Sequence, residues 1–252
     1  MGRLSGDGTI VAPRPCSHGV YGVSDIHSPR YLNILEKALE DAEDLEVVLL
    51  AGDLVDKGRH IWIKPVIRQI LNINPSAKMI AVFGNEEYDE VKEELRKFNE
   101  VLWLDDSYTI IEHKGCRIGI IGSTGALDRL TRWQRRHKPW LLKVYRERPG
   151  IIKKLYNEVK DMVDRVIIMT HYGSARGTLI GEPRRIWPEL YSSAMEKLLS
   201  ELKPDAAVHG HAHNGTPKTL VNGVPVYNVA LPLNKRLTRI KFRPKLHGLF
   251  QH

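Results

Sequence analysis

Cysteine is scarce in this sequence. Among 252 residues only Cys16 and Cys116 occur, far apart in the chain and outside any CxxC pair. This disfavours a zinc site built on thiolates and a framework of closely spaced disulfides. Two isolated cysteines are typical of a reducing compartment, and we expect a cytoplasmic protein.

Long apolar runs are also absent. No stretch approaches the ~20 apolar residues that a membrane-spanning helix needs. The first residues, MGRLSGDGTIVAPRPC, contain no apolar core of signal-peptide length. A GxxxxGK[ST] loop does not occur, which disfavours a P-loop nucleotide enzyme. The sequence therefore predicts neither a membrane protein nor that mode of nucleotide binding.

Basic residues outnumber acidic ones. The chain has 38 Lys+Arg against 30 Asp+Glu, a formal net charge of +8 and a pI of about 9.4. This balance favours acidic partners such as phosphates or nucleic acid. With 42% hydrophobic residues the chain can bury the core of one domain. We expect that domain over residues 18–243, between an irregular start at 1–17 and a basic tail at 244–252.

Apolar stretches suited to strands alternate with amphipathic stretches suited to helices. After the first strand, Ser28 and Pro29 offer an N-cap and a proline for the first helical position, and leucines then recur at helical spacing. Strands are predicted in GVYGVSDIH, EVVLLAGD, KMIAVFGN, VLWL, YTIIE, CRIGIIG, RVIIMTHY, DAAVHGHAH, PVYNVAL and RLTRIKF. Other helices are predicted in IWIKPVIRQIL, DEVKEELRKF and AMEKLLSEL. This order predicts an α/β domain of two stacked sheets with helices outside.

Side chains that can bind metals follow several of these strands. They carry a carboxylate, an amide oxygen or an imidazole, and they are Asp25, His27, Asp53, Asn85, His171, His211 and His213. Open α/β sheets place their ligand sites at the carboxyl ends of strands, so these scattered positions can converge. Each short motif is weak alone, since a strand-terminal GD or GN is most often only a turn. Together these motifs predict one metal-binding site.

The ligand types indicate which metals fit. Mixed nitrogen and oxygen donors suit Mn²⁺, Fe²⁺ or Zn²⁺ better than an all-oxygen calcium cage, and we favour Mn²⁺. Seven ligands are too many for one zinc ion. Two divalent ions that share a carboxylate would use all seven, and such pairs stabilise the attacking and leaving oxygens of a phosphoryl displacement.

In their order and spacing these blocks resemble the calcineurin-like metallophosphoesterase family. The family pattern is DxH, GD, GNH followed by an acid, a strand-end His, and GHxH, and the resemblance spans Asp25 to His213. It implies a four-layer α/β sandwich of two mixed β-sheets flanked by helices. It also implies a metal-dependent phosphoric ester hydrolase whose nucleophile is a hydroxide that bridges two metal ions.

The resemblance assigns roles residue by residue. It implies that Asp25, His27 and His213 bind one metal ion, that Asn85, His171 and His211 bind the other, and that Asp53 bridges them. The catalytic set it implies comprises Asp53, Asn85, Glu86 and His171.

Glu86 departs from the family pattern, which has a histidine at this position. That histidine is thought to contact the phosphate and to protonate the leaving oxygen. An ordinary glutamate, with a pKa of ~4.3, is ionised at neutral pH and holds no proton to donate. We expect that Glu86 is not the general acid, and that it turns to a basic neighbour or orients Asn85 instead.

A basic segment follows the sixth predicted strand. Between residues 129 and 154 many arginines and lysines interleave with Trp133, Trp140 and Tyr145. Such a mixture can bind phosphates and stack bases, although a solvated helix face with inward aromatics is the simpler interpretation. Three arginines are candidates to bind the substrate phosphate in place of the missing histidine: Arg129, Arg132 and Arg176.

The preferred function is a two-metal phosphodiesterase, with phosphomonoesters as alternative substrates. The competing prediction is a protein of the same fold that hydrolyses little and binds RNA or a ribonucleoprotein. A nuclease would combine both predictions. The oligomeric state is open, and a homodimer is one alternative.

Overall fold

A computed structural model describes residues 16–244 of the chain. The predicted irregular start and basic tail lie almost entirely outside these residues, so the domain limits stay a prediction. The strands are β1 Val20–Val23, β2 Val47–Leu50, β3 Lys78–Val82, β4 Val101–Leu104, β5 Ser107–His113, β6 Cys116–Ser123, β7 Arg165–Thr170, β8 Ala206–His209, β9 Lys218–Val221, β10 Val224–Asn228 and β11 Thr238–Arg239. The helices are α1 Leu32–Glu40, α2 Ile63–Ile73, α3 Lys92–Arg96, α4 Arg132–His137, α5 Leu141–Val159, α6 Ser193–Leu202 and α7 Leu231–Asn234.

The strands form two mixed sheets. The first has the order β11-β1-β2-β3-β4, in which β1 to β4 are parallel and β11 is antiparallel to β1. The second has the order β5-β6-β7-β8-β10-β9, with a parallel centre and an antiparallel strand at each edge. The predicted four-layer α/β sandwich is confirmed.

Three apolar layers hold the sandwich together. They form because successive side chains along a strand point to opposite faces of the sheet. In β2, Val47 and Leu49 face the other sheet, whereas Val48 and Leu50 face the helices. Strands buried on both faces are therefore almost wholly apolar, as the sequence runs indicated. The outer layers pack α1 and α2 on the first sheet, and α5 and α6 on the second.

The start of the first helix differs from the prediction. Helix α1 begins at Leu32 with Tyr31 in the capping position, not at Pro29. Ser28 instead pairs with Val55 in an isolated bridge, and the Ser28-Pro29 peptide bond is cis. A sequence motif typical of helix starts thus forms a turn, because the backbone of Ser28 is bound to the loop after β2.

The two cysteines form a disulfide. Cys16 and Cys116 are 100 positions apart in sequence, with Cα atoms 5.9 Å apart, and the bond ties the chain before β1 to the start of β6. This bond was not predicted from the sequence, in which the two cysteines stand far apart. Disulfides are typical of oxidising compartments and also occur inside hyperthermophilic cells, so the cytoplasmic location stays a prediction. In residues 16–244, no helix is both long and apolar enough to cross a membrane.

Candidate metal centre

The seven predicted ligands lie in loops at the carboxyl ends of five strands. The first sheet supplies Asp25 and His27 after β1, Asp53 after β2 and Asn85 after β3. The second supplies His171 after β7 and both His211 and His213 after β8. The parallel strands of both sheets end at the same edge of the sandwich, and the structure brings these side chains together there.

Four of the seven residues have a left-handed backbone. The φ angles are 55° for Asp25, 42° for His27, 51° for Asp53 and 69° for His211. Residues other than glycine rarely adopt this conformation, and such positions concentrate at functional sites where the surrounding structure imposes them. Here each turn redirects the chain sharply after a strand and aims the side chain into the cluster.

The first ligand group consists of Asp25, His27 and His213. Nε2 of His213 donates a hydrogen bond of 2.9 Å to Oδ1 of Asp25, and Nε2 of His27 lies 4.0 Å from the same oxygen. The other oxygen of Asp25 accepts the hydroxyl of Ser24 at 2.6 Å and the backbone N–H of His211 at 2.9 Å. The carboxylate is thus fixed from behind, and one oxygen faces the histidines.

The second group consists of Asp53, His171 and His211, with Asn85 beside them. Nδ1 of His171 donates to the carbonyl of Ala51 at 3.0 Å, which leaves the lone pair of Nε2 to face Oδ1 of Asn85 at 3.1 Å. Burial lowers the pKa of His171 to about 4, so the ring is neutral at pH 7. Two acceptor atoms therefore point at each other without a proton between them.

Asp53 belongs to the second group and also faces His27 of the first. Its Oδ2 lies 3.8 Å from Nε2 of His27 and 3.5 Å from Nε2 of His171. Its Oδ1 accepts the backbone N–H of Glu86 at 2.8 Å. One oxygen is therefore held by the protein, and the other is directed at both groups, which is the position a shared carboxylate ligand needs.

The electrostatics of the cluster fit divalent cations. Both ring nitrogens of His27 are buried and have no hydrogen-bond partner. Burial raises the pKa of Asp53 well above its usual range, and the nearby carboxylates of Glu87 and Asp25 raise it further. Among residues 16–244, the ion pairs of Asp25 and Asp53 are formed with histidines alone. Unpaired imidazoles and crowded carboxylates are the donors that a metal ion satisfies. Their role as ligands stays a prediction.

Glu87 forms hydrogen bonds to the backbone of two loops that carry candidate ligands. Its buried carboxylate accepts backbone N–H groups from Asp53 at 2.8 Å, Leu54 at 2.6 Å, Val55 at 3.1 Å and Gly84 at 2.7 Å. These bonds tie the loop after β2 to the loop after β3. Sequence reasoning left Glu87 out of the site, although the family pattern has an acid at this position.

Two glycines in the ligand motifs allow close approach. A Cβ atom on Gly84 would collide with Oδ1 of Asp53, and one on Gly210 would collide with Ser24 and Asp25. The glycines of GN and GH are thus needed because ligand loops from different strands touch at these positions.

Glu86 turns toward the loop after β2. Its Oε2 accepts the backbone N–H of Lys57 at 2.8 Å, and its carbonyl accepts the N–H of Gly58 at 2.9 Å. Its Oε1 lies 3.4 Å from Nδ2 of Asn85. Glu86, His27 and Asp56 also form a third group of potential ligand atoms, which the sequence analysis did not foresee. Glu86 therefore binds the backbone of the loop after β2, and among the described residues its carboxylate forms no ion pair with a basic side chain. Its role beside Asn85 stays a prediction.

A cavity of about 600 Å³ opens beside the second ligand group. Its lining includes Asn85 and His211, further residues of the loop after β3 and α3, and residues of α4, α5 and the loop before α4. The three candidate phosphate-binding arginines do not line this cavity. Arg129 pairs with Glu189 at 3.1 Å, Arg176 lies over the ring of Trp187, and Arg132 is exposed at the start of α4. Their role in substrate binding stays a prediction.

Comparisons with known proteins agree with this fold. A family model described as calcineurin-like phosphoesterase matches residues 19–215. Among curated protein sequences, no significant match is found.

Several solved structures are similar in fold. Phosphopantetheinyl hydrolase PptH from Mycobacterium tuberculosis is 13% identical, with a TM-score of 0.64 and coverage of 92% of this chain and 98% of that one. The protein TT1561 of Thermus thermophilus is 15% identical, with a TM-score of 0.54 and coverage of 83% and 87%. GAP50, an anchor in the inner membrane complex of Plasmodium, is 12% identical, with a TM-score of 0.50 and coverage of 84% and 71%. At these identities the likeness shows the fold alone.

Proposed function

The chain belongs to the calcineurin-like phosphoesterase family, and on that premise we propose that it hydrolyses phosphodiesters with two divalent cations held by the seven-residue cluster. Family membership and the His/Asp clusters support a metal-dependent phosphoesterase. The finer proposal rests on one observation above all. Oδ2 of Asp53 faces His27 on one side and His171 on the other, as a carboxylate shared by two ions would.

The seven residues would form two ligand sets, one for each ion. Asp25, His27 and His213 would hold one ion, and Asn85, His171 and His211 the other. When bound, such a pair supplies an activated water and stabilises the charge that develops on the phosphoryl oxygens. The protein positions these donors with backbone bonds behind Asp25 and Asp53, and the neutral state of His171 keeps its Nε2 lone pair available.

Phosphodiesters suit the site better than phosphomonoesters. Glu86 places a carboxylate beside Asn85, and this carboxylate accepts the backbone N–H of Lys57. This negative charge repels the dianion of a monoester more than the monoanion of a diester. We favour Mn²⁺ because borderline nitrogen and oxygen donors with an amide ligand suit it.

The test is hydrolysis of bis(p-nitrophenyl) phosphate with Mn²⁺, Fe²⁺ or Zn²⁺ added to metal-free protein. We expect turnover that depends on the metal, is highest with Mn²⁺ and is lost in Asp53→Asn. Asp41→Asn, on an exposed residue after α1, is the matched control and should keep the wild-type rate. Absence of turnover with every metal would contradict the proposal.

A second candidate function is binding of single-stranded nucleic acid with little hydrolysis. The supporting observation is a surface of four exposed arginines on α4 and α5 that form no ion pair within residues 16–244: Arg132, Arg135, Arg136 and Arg146. Unpaired arginines on one surface favour phosphate backbones, and such binding weakens steeply with salt.

Fluorescence anisotropy of a labelled oligonucleotide tests this candidate. Binding should weaken strongly between 50 and 200 mM salt, by roughly tenfold for each two or so phosphate contacts. The double variant Arg135→Glu/Arg136→Glu should reduce both the affinity and the salt dependence. Tight binding without any metal-dependent turnover would favour this candidate over the enzyme.

A further inference from the structure

The cavity beside the second ligand group is lined about equally by two parts of the chain, the segment from the loop after β3 into α3, and the loop before α4 with α4 and α5. Trp133, Leu141 and Tyr145 line it, and Tyr172 comes from the loop that carries His171. Its volume of about 600 Å³ falls in the range of small-molecule sites. Because Asn85 and His211 lie at its edge, a phosphate at the metal centre would direct one of its ester groups into this cavity.

The wall of the cavity combines rings with neutral polar groups. Nε2 of Gln134 donates to the hydroxyl of Tyr145 at 3.1 Å and lies 3.4 Å from the hydroxyl of Tyr172. The two hydroxyls are 3.3 Å apart. Aromatic faces and uncharged hydrogen-bonding groups recognise planar rings with polar edges.

The cations of the cavity are already neutralised. Lys138 binds Asp89 at 2.8 Å, and Lys92 binds Asp105 at 3.2 Å. Arg148 is buried and binds both Asp106, at 3.0 Å, and the carbonyl of Gly125, at 2.7 Å. Four carboxylates also line the cavity: Glu86, Glu87, Asp89 and Glu90. No surplus of positive charge remains among these lining residues to attract a further phosphate.

We propose that this cavity is a substrate subsite that binds an uncharged ester group with a ring, such as a nucleoside, next to the phosphate at the metal centre. This assignment rests on the proposed phosphodiesterase function. It predicts substrates with a single phosphodiester and a neutral heterocyclic or aromatic group, in preference to small alkyl esters and to nucleotides with additional phosphates.

Two matched substrates test the preference. Thymidine 5′-(p-nitrophenyl phosphate) and ethyl p-nitrophenyl phosphate have the same leaving group, the same charge and a primary alkyl ester. We expect kcat/KM to be at least about tenfold higher for the thymidine ester, because the cavity can bury its ring against aromatic side chains. A 3′-phosphate on the thymidine should lower kcat/KM. Equal values for the first two esters, or a gain from the added phosphate, would overturn the proposal.

Two tryptophans provide matched variants. Trp133 lines the cavity and is 58% exposed, whereas Trp140 is 59% exposed and does not line it. In Trp133→Ala the ratio of kcat/KM between the thymidine and ethyl esters should fall by about tenfold, mainly through KM. In Trp140→Ala the ratio should stay at the wild-type value. An equal fall in both variants would indicate binding along the outer surface and overturn the cavity assignment.

Binding without catalysis separates this proposal from the proposed function. Saturation-transfer NMR of thymidine with metal-free protein should show contact with the base protons, and Trp133→Ala should reduce it. This result would support the subsite even if every ester proved inert. Absence of thymidine binding in a protein that hydrolyses diesters would overturn the subsite and leave the proposed function intact.

Discussion

Glu87 shows how one buried residue can position two loops of the candidate metal centre. Its carboxylate accepts four backbone N–H groups from two ligand loops and, within residues 16–244, forms no ion pair with a lysine or arginine. Four hydrogen bonds from two loops converge on this one carboxyl group, so the position of Asp53 depends on Glu87.

We predict that Glu87→Gln weakens Mn²⁺ binding by about 10- to 100-fold, the usual range for residues that orient metal ligands. An amide keeps one acceptor oxygen but turns its NH₂ group toward backbone donors. Calorimetric titration of metal-free protein measures the affinity, and Glu90→Gln on the exposed neighbour is the control. Unchanged affinity in Glu87→Gln would show that the loops hold their ligands without it.

For Glu86, unlike Glu87, we expect that substitution has only a small effect. Since its carboxylate accepts the backbone N–H of Lys57 and turns toward the loop after β2, Glu86→Gln should change kcat for a phosphodiester by less than about tenfold. Steady-state rates at pH 7, with metal content measured on the same sample, test this. A loss of roughly 10² to 10⁴-fold with metal retained would identify Glu86 as a general acid.

The seven candidate ligands were predicted from the sequence, whereas the residues that hydrogen-bond to the ligand loops and those that line the cavity were not. Asp25 and His213 stand in short motifs at strand ends, so their positions could be read directly. The bonds of Glu87 to Asp53 and Gly84 involve backbone atoms, which carry no residue-type signal. The cavity wall of Gln134 and Tyr145 depends on how two helices pack, and periodicity alone does not give that arrangement.

At the scale of elements, the loops after the strands determine the site more than the strands do. Gly84 lies in the loop that follows β3, against Oδ1 of Asp53. A methyl group there must displace either the carboxylate or the loop.

We predict that Gly84→Ala reduces metal affinity and activity by at least about tenfold, because Asp53 must move. Gly150, inside α5, has open space around its Cα, and Gly150→Ala should raise the free energy of unfolding by about 0.5 to 1 kcal/mol. Metal titration and urea unfolding of both variants test the contrast. Normal metal binding in Gly84→Ala would show that the loop can relax.

The succession of most strands along the chain was predictable, and some boundaries were not. The sequence analysis missed β9, although Asn222-Gly223 joins it to β10 with φ angles of 47° and 82°. This pair is a strong hairpin signal. The start of α1 was wrong for a different reason, since a bridge to Val55 overrides the local preference of Ser28 and Pro29. Tertiary contacts determine such boundaries.

At the scale of the whole molecule, the disulfide links distant parts of the fold. Cys16 and Cys116 enclose 100 positions of sequence, including the entire first sheet apart from β11. Closing so long a loop lowers the entropy of the unfolded chain.

We predict that the double variant Cys16→Ser/Cys116→Ser loses about 2 to 5 kcal/mol of unfolding free energy. Guanidinium unfolding of the oxidised wild type against the variant measures it, and a reducing agent should produce a similar loss in the wild type alone. Identical unfolding midpoints would mean that the bond does not form in solution or does not contribute.

Each ligand group of the metal centre takes residues from both sheets. In the first group, Asp25 and His27 follow strands of the first sheet, and His213 follows a strand of the second. In the second group, Asp53 and the adjacent Asn85 follow strands of the first sheet, and His171 and His211 follow strands of the second. Bound cations would therefore cross-link the two sheets. Because neither sheet alone carries a complete candidate ligand group, we expect loss of the ions and separation of the sheets to occur as one cooperative event.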